Sequence, residues 1–327
     1  MVNQIHFGKR IAALRRKAGW SQSDLAEKLG VTSQAVSKWE TGNAMPDIDY
    51  LLELSHWYRV TINEMLEGCD LLFQLTGKKT EPSGIAYFVS KQEREYNREW
   101  AERMHAENWI RQNWDYVRGG NGSMDTRIVG KQIAECDGII LEIGVGPGGG
   151  YMPYVLRENP DVTLIISDLS PTVVREWKDL LDHKLGLPNL YYAVFDFCNM
   201  PFQDSCIDMI ADRGGIGNCE GVKQQALKEA YRVLKPGGKL ITTTGFVTKD
   251  TLAELPQMAQ RVLREKRPDI FEDLYEETVL AGFCKIDSMI TGYWYTDDDE
   301  STIADLAKSL GVNLKFTSYV RFCEKVE

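Results

Sequence analysis

A glycine-rich segment that begins just after Glu142 contains the residues best suited to approach a small ligand. Gly144, Gly146 and Gly148 have no Cβ atom to keep a ligand away from the backbone. With Gly149, the first two also fit the G-x-G-x-x-G spacing of dinucleotide-binding loops, which is a weak indicator when it stands alone. The carboxylate of Glu142 favours a ligand carrying an ammonium or sulfonium cation, and it would repel a pyrophosphate.

Two further acidic residues stand at the ends of later apolar runs. Asp168 ends one run and is followed by Leu169, while Asp196 ends the next and is followed by Phe197. The carboxylate of Asp168 can accept hydrogen bonds from both hydroxyls of a ribose. Asp196, taken alone, could be an ordinary cap at the end of a strand.

The elements that must position these residues alternate between strand and helix from Asp137 onwards. Such alternation predicts a parallel sheet with helices on both faces. Residues 139–143 form an apolar run directly before the glycines, which indicates a buried strand. Further on, residues 235–238 (Lys-Pro-Gly-Gly) end a helix and lead into a fifth strand.

Together these motifs resemble the class I S-adenosylmethionine-dependent methyltransferases, over about residues 105–327, because four separated motifs occur in that family's order. The resemblance implies an α/β fold with a Rossmann-like, seven-stranded sheet and S-adenosylmethionine as cofactor. It places the glycines beside the methionine moiety, Asp168 on the ribose, and Asp196 with Phe197 around the adenine. The predicted cofactor-binding residues are Glu142, Gly144, Gly146, Gly148, Asp168, Leu169, Asp196 and Phe197.

The end of the chain also fits this resemblance. Residues 282–286 and 317–322 are expected to be the last two strands, which pair antiparallel in that family. The stretch between them, residues 291–313, is longer than a simple hairpin requires.

The segment that follows the fourth strand faces the methyl acceptor in that family. Asp212 is a candidate general base, and Arg213 or Asn218 could orient a substrate, although each could equally be an ordinary loop residue. Of the four histidines, only His105 is expected to reach the site. The catalytic residue is otherwise unknown, and no cysteine spacing indicates a metal site.

Residues 1–68 show the spacing of several short helices. Ser21 is a plausible N-cap for the second, Gly30 ends it, and Thr32 or Ser33 caps the third. The pattern resembles the helix-turn-helix domain of the Cro/phage-repressor (XRE-like) family, with five helices over residues 5–66.

This second resemblance implies that the third helix enters the major groove of double-stranded DNA. Ser33, Gln34, Ser37 and Lys38 are then on its exposed face, with Gln34 reading an adenine and Lys38 reaching a guanine or a phosphate. Gln22 is expected to donate to a backbone phosphate. The alternative is a small helical bundle that serves for dimerisation or protein interaction. Proteins of this class usually bind as dimers, which implies a homodimer.

Charge separates the two halves of the chain. Residues 1–68 carry eight basic and eight acidic side chains, whereas residues 69–327 carry 30 and 40, so the net charge of −10 lies in the second half. That acidity disfavours a nucleic-acid acceptor and favours a small molecule. Seven scattered cysteines, no secretory signal and no membrane-spanning run indicate a cytoplasmic location.

Residues 69–118 connect the two halves. The polar stretch 78–84 is the expected linker, and residues 91–117 are strongly helical with an aromatic stripe. That stripe is expected to pack on the next domain, the alternative being a lid over the cofactor. We therefore expect a helix-turn-helix domain at 1–68, a linker and helical lid at 69–118, and a methyltransferase domain at 119–327.

Three functions fit this organisation. The leading hypothesis is a small-molecule methyltransferase fused to a DNA-binding transcription regulator. The second is a non-catalytic regulator that senses S-adenosylmethionine. The third, a scaffold without cofactor, is disfavoured by the intact acids Glu142, Asp168 and Asp196.

Overall fold

A computed structural model describes residues 4–67, 71–90, 106–122, 124–217, 221–298 and 302–326. The predicted five helices of the first domain are confirmed. They are α1 (Gln4–Lys17), α2 (Gln22–Leu29), α3 (Ser33–Glu40), α4 (Ile48–Tyr58) and α5 (Ile62–Glu67).

The caps of α2 and α3 show why the chain turns where it does. Ser21 and Asp24 form a reciprocal capping box at the start of α2. Gly30 ends that helix in the left-handed conformation, with φ of 65°. Of the two expected caps for α3, Thr32 is the one used, and its hydroxyl accepts a hydrogen bond from the backbone N–H of Ala35.

The core of this domain is built on close contact between α1 and α3. A Cβ atom on Gly8 would lie 2.3 Å from the carbonyl oxygen of Trp39, so only glycine allows the two helices to approach so closely. Fully or nearly fully buried apolar side chains from all five helices surround this crossing; they include Phe7, Ile11, Leu25, Val36, Trp39, Leu54 and Met65.

The second domain is built on one sheet with the strand order β1-β4-β3-β2-β5-β6-β8-β7. Its strands are β1 (Ile85–Tyr87), β2 (Ile139–Ile143), β3 (Thr163–Asp168), β4 (Leu190–Val194), β5 (Ile207–Arg213), β6 (Leu234–Phe246), β7 (Lys285–Tyr295) and β8 (Lys315–Glu324). All neighbours are parallel except that β8 runs antiparallel to β6 and to β7, as expected for the last two strands.

The seven expected strands are present, and an eighth joins them from the connecting segment. β1 pairs in parallel with β4 at the edge of the sheet. Just before it, α6 (Leu71–Thr76) places Leu72 and Leu75 in the core of the sheet domain. Part of the segment expected to be a linker therefore belongs structurally to the sheet.

Helices cover both faces of the sheet, as predicted. One face carries α7 (Ala106–Arg118), α8 (Met124–Ala134), α9 (Met152–Glu158) and α10 (Pro171–Lys184). The other carries α6 and α11 (Lys223–Val233), with the short α14 (Tyr275–Leu280) beside α11. Beyond the sheet edge, α12 (Lys249–Ala253), α13 (Gln257–Lys266) and α15 (Thr302–Ser309) contribute to a smaller apolar cluster.

The expected helix at 91–117 is described only from Ala106 onwards. In that half, Ile110 and Trp114 are buried in the sheet core, whereas Trp109 and Tyr116 are exposed, so the stripe packs on the next domain only in part. α7 also contacts the glycine loop, because the side-chain amide of Asn113 donates to the carbonyl oxygen of Pro147 over 3.4 Å. His105 lies outside the described residues.

The two domains touch through α1. The guanidinium of Arg16 pairs with both carboxylate oxygens of Asp161, at 2.7 and 2.6 Å. The ammonium of Lys9 donates to the carbonyl oxygen of Leu185 at 2.6 Å, just after α10 ends. One face of α1 thus supports α3, and another contacts the sheet domain.

Candidate functional site

The glycine loop leaves β2 with its backbone exposed for close approach. Gly144 and Gly146 both adopt left-handed conformations, with φ of 58° and 53°. A Cβ atom on Gly146 or Gly148 would meet no heavy atom within 4 Å, so the space beside these residues is open. The indole nitrogen of Trp177, on α10, donates to the carbonyl oxygen of Gly146 at 2.8 Å and so holds the loop in place.

Glu142 lies completely buried behind this loop. Its Oε1 accepts a hydrogen bond from the backbone N–H of Tyr151 at 2.6 Å. Its Oε2 is buried and has no hydrogen-bond partner within the part of the chain that the structure describes. Burial, together with the negative charge of Asp212, raises the pKa of Glu142 to about 8.

The carboxylate of Glu142 leaves no room for a side chain at position 150. A Cβ atom on Gly150 would lie 2.0 Å from Oε1 of Glu142, and the residue has a φ of 56°. The loop is therefore wrapped closely around a buried acid whose second oxygen remains unpaired. Burying an unpaired charge is costly unless a ligand or partner offsets it.

Asp168 holds the loop from the neighbouring strand. Its Oδ2 accepts from the backbone N–H of Gly146, and its Oδ1 from that of Ser170, both at 2.8 Å. Loss of solvent contact raises the pKa of Asp168 despite these hydrogen bonds. Each carboxylate oxygen has a second lone pair, so Asp168 can still accept from two hydroxyls. Leu169 beside it is exposed.

Asp196 and Phe197 lie just beyond β4, which ends at Val194 rather than at Asp196 as expected. The carboxylate of Asp196 accepts from the backbone N–H of Cys198 at 2.8 Å and is otherwise exposed. An edge atom of the Phe197 ring would lie 3.5 Å from a Cβ on either Gly144 or Gly215. The aromatic ring thus lies where the loops after β2 and β5 meet.

Asp212 is fully buried and its carboxylate binds its own loop. Oδ1 accepts from the backbone N–H groups of Gly215 and Ile216, at 2.7 and 3.2 Å. Oδ2 accepts from the hydroxyl of Thr242 at 2.6 Å. Desolvation raises its pKa to about 6. Asp212 thus ties the loop after β5 to β6, and its role as a general base stays a prediction.

A cavity of about 250 Å³ adjoins the glycine loop on the face covered by α8 and α9. Arg213 lines it, whereas Asn218, the other candidate for orienting a substrate, lies outside the described residues. Residues of β5, β6, β7, β8 and α8, together with Tyr151 just before α9, line it; they are Thr126, Tyr151, Arg213, Thr243, Thr291, Gly292, Tyr293, Trp294, Ser318 and Val320. A larger depression along α13 is lined by that helix alone, by Gln257, Gln260, Arg261, Arg264 and Glu265.

The candidate DNA-contacting residues lie on one side of α3. Ser33, Gln34 and Lys38 are exposed and Ser37 is half-buried. The amide nitrogen of Gln22 donates to Glu40 at 2.8 Å, and its expected contact with a backbone phosphate stays a prediction. Glu40 is itself paired with Arg15, with a closest approach of 2.6 Å between two nearly buried side chains.

Sequence reasoning missed two side chains that shape the site. Trp177 has the helical spacing of a core residue, and nothing in its spacing indicates the hydrogen bond to Gly146. Tyr151 follows the glycines directly, and its hydroxyl makes a hydrogen bond to that of Thr243. This contact joins the segment after the glycine loop to β6, so the spacing of residues along the chain does not reveal it.

The described residues show neither a metal-binding cluster nor a membrane-spanning helix. They contain no cluster of three or more His, Cys, Asp or Glu side chains that could hold a metal ion. Nor does any helix among them have the length and apolar character needed to cross a bilayer.

Comparison with known proteins gives a separate match for each half. Residues 11–65 match the helix-turn-helix family model, and residues 141–242 match the model of the methyltransferase domain. The ubiquinone/menaquinone biosynthesis C-methyltransferase of Hydrogenovibrio crunogenus is 27% identical over 117 residues, covering 36% of this chain and 46% of that protein. The transcriptional activator BcrR of Enterococcus faecalis is 37% identical over 68 residues, covering 21% of this chain and 33% of that protein.

A solved structure from Haemonchus contortus, a phosphoethanolamine N-methyltransferase bound to S-adenosyl-L-methionine, aligns with a TM-score of 0.46 and 18% identity. That alignment covers 71% of this chain and 60% of the other. The chain spans about half the length of the methyltransferase relative and a third of the activator. The two family matches show that the chain joins a helix-turn-helix domain, over residues 11–65, to a methyltransferase domain, over residues 141–242.

Proposed function

We propose that the protein is an S-adenosylmethionine-dependent methyltransferase acting on a small molecule, and that its first domain binds DNA as a transcription regulator. The observation that supports the cofactor most directly is the buried, unpaired Oε2 of Glu142 behind an open glycine loop. An ammonium or sulfonium cation near that oxygen would offset the cost of burying the charge. The relatives are a C-methyltransferase and a transcriptional activator, which fits the same pairing.

The residues present fit this cofactor by chemistry and position. Glu142 provides a negative charge behind the loop, Asp168 provides acceptors for two ribose hydroxyls, and Phe197 provides an aromatic surface. Asp196 and Leu169 complete the adenosine end, and Gly144, Gly146 and Gly148 allow the backbone to approach the methionine end. When bound, S-adenosylmethionine supplies a methyl group on a sulfonium sulfur, which is a good leaving group.

The chain's own contribution is positioning and exclusion of water. Holding two reactants in line can supply roughly 7–11 kcal/mol of a barrier without an acid or base. Trp177 and Asp168 fix the glycine loop through Gly146, and Asp212 fixes the neighbouring loop through Gly215 and Ile216. We propose that this rigidity, rather than proton transfer by Asp212, is what these residues contribute.

The first domain is proposed to bind double-stranded DNA through the exposed side of α3, with Gln34 and Lys38 reaching base edges or phosphates. The buried Arg15–Glu40 pair, with Gln22 attached to it, holds α1, α2 and α3 together. Two copies of the chain, each bound to one DNA half-site, would form a homodimer. A cytoplasmic location fits an action on DNA and the scattered free cysteines.

Two measurements test the proposal. Calorimetry with S-adenosylhomocysteine should show one site per chain, and no binding at millimolar ligand would refute the cofactor assignment. A metabolite extract incubated with protein and S-adenosylmethionine should release S-adenosylhomocysteine. Binding without any such release would instead favour the non-catalytic regulator that senses the cofactor.

A further inference from the structure

The cavity beside the glycine loop carries a single type of charge. Arg213 is the one charged side chain among its described lining residues. Its guanidinium is exposed and touches the carbonyl oxygen of Gly150 at 3.4 Å. No carboxylate among the described residues lies within ion-pair distance of it. An unpaired guanidinium offers a planar pair of donors, which suits a carboxylate or phosphate group.

The strand register explains why Arg213 faces this cavity. Arg213 on β5 lies beside Thr243 on β6, and Thr243 lies beside Val320 on β8. These three side chains therefore form one row on the same face of the sheet. The hydroxyls of Thr243 and Tyr151 stand next to the guanidinium and can complete the hydrogen bonding of an anion.

The far wall of the cavity is aromatic and fixed in place. Trp294 stacks on Phe316, with ring centres 3.9 Å apart and planes within 10° of parallel. Gly245 leaves room there, since a Cβ atom would lie 3.2 Å from the indole nitrogen of Trp294. The cavity thus combines a cationic group with an aromatic surface, in about 250 Å³. A cavity of about 150 Å³ is enough to hold benzene, so this one fits a single-ring molecule with a substituent.

Two buried acids, Glu142 and Asp212, lie near Arg213, and neither forms an ion pair with it within the described part of the chain. The carboxylate of Asp212 is hydrogen-bonded to its own loop and to Thr242, and that of Glu142 accepts from the backbone N–H of Tyr151. Lys315 adds positive charge at the other end, with its ammonium 4.0 Å from the centre of the Tyr293 ring. At the cavity itself, the cations Arg213 and Lys315 attract an anion, although the sheet domain as a whole is acidic.

We infer that this cavity binds the methyl acceptor, and that the acceptor is a small anionic molecule whose carboxylate or phosphate pairs with Arg213 while a flat apolar body packs against Trp294. This inference rests on the proposed function and adds the substrate class to it. The same anion chemistry could come from the carboxylate of the cofactor itself, so the experiment separates these two sources.

The test uses the full chain saturated with S-adenosylhomocysteine and titrated by calorimetry with benzoate and with its neutral counterpart benzamide. Benzoate is expected to bind at least tenfold more tightly than benzamide. In Arg213→Gln this preference should fall below threefold, while the Kd for S-adenosylhomocysteine changes less than threefold. Arg261→Gln removes an equally exposed arginine from α13 and should keep the full preference.

Failure of this inference and failure of the proposed function give different results. Equal binding of benzoate and benzamide by the wild-type complex overturns the inference and leaves the methyltransferase proposal standing. A loss of S-adenosylhomocysteine affinity of tenfold or more in Arg213→Gln overturns it too, because the anion is then the cofactor's own carboxylate. Failure of the wild-type chain to bind S-adenosylhomocysteine at all refutes the proposed function and, with it, this inference.

Discussion

Replacing Glu142 with glutamine is expected to stabilise the ligand-free protein and to weaken its binding of the cofactor. Glutamine has nearly the same shape and can still accept the hydrogen bond from the backbone N–H of Tyr151. It removes the cost of burying a carboxylate that has one unpaired oxygen. It also removes the negative charge that would face a cationic ligand, so affinity for S-adenosylhomocysteine should fall at least tenfold, or about 1.4 kcal/mol.

The gain in stability can be worked out from the pKa of Glu142, which burial raises from 4.5 to about 8. The folded state holds this proton more tightly than the unfolded state, so stability falls as pH rises from about 4.5 to about 8. Linkage gives a cost of about 1 kcal/mol at pH 5 and about 3 kcal/mol at pH 7. The variant escapes this cost, and its advantage should grow by about 2 kcal/mol over that interval.

Urea unfolding of both proteins at pH 5, 6 and 7 measures this difference, because groups other than Glu142 contribute equally to both. Glu158→Gln, which changes an exposed glutamate at the end of α9, provides the control and should not alter the pH dependence. A stability difference between Glu142→Gln and wild type that stays constant from pH 5 to 7 would refute the reasoning, since it would mean that Glu142 titrates normally.

Other substitutions test the remaining assignments. Asp212→Asn should keep cofactor affinity within threefold, because an amide can still accept from the loop and donate to a hydroxyl. Asp212→Ala should lower the free energy of unfolding in urea by about 3 kcal/mol. Equal stability of the two variants would contradict the loop-stabilising role. A double-mutant cycle of Arg16→Ala and Asp161→Ala should give a coupling free energy below about 1 kcal/mol, since both side chains are partly exposed. A larger value would indicate a stronger contact between the domains. Lys38→Ala should weaken DNA binding and, if it contacts a phosphate, reduce the slope of log K against log salt by about 0.9. Gln34→Ala should reduce discrimination at one base pair by about 1–3 kcal/mol, and uniform weakening on all sequences would contradict its role in base reading.

Much of the fold follows from local patterns in the sequence. Short-range rules placed α2 correctly, because Ser21 and Gly30 are strong signals for the start and end of a helix. The apolar run 139–143 and the glycines after it likewise place β2 and its loop. Such features depend on neighbours along the chain, so one sequence is enough to find them.

Other features depend on contacts between distant segments and could not be predicted in this way. β1 has only three residues, and its partner β4 comes much later in the chain. The hydrogen bond from Thr242, on the neighbouring strand, to the carboxylate of Asp212 is another contact of this kind. The cavity lined by Arg213 exists only because the register of β5, β6 and β8 aligns its lining residues.

Because α6 and β1 belong to the sheet domain, their position in the chain affects how the protein folds during synthesis. All five helices of the first domain precede α6, so that domain can fold while the rest is being made. Ile85 pairs with Tyr192, a separation of 107 residues (192 − 85), which at typical rates of synthesis corresponds to roughly 5–20 s. During that interval Leu72 and Leu75 lack the core that covers them in the finished protein, so this short segment is where the nascent chain would depend most on a chaperone.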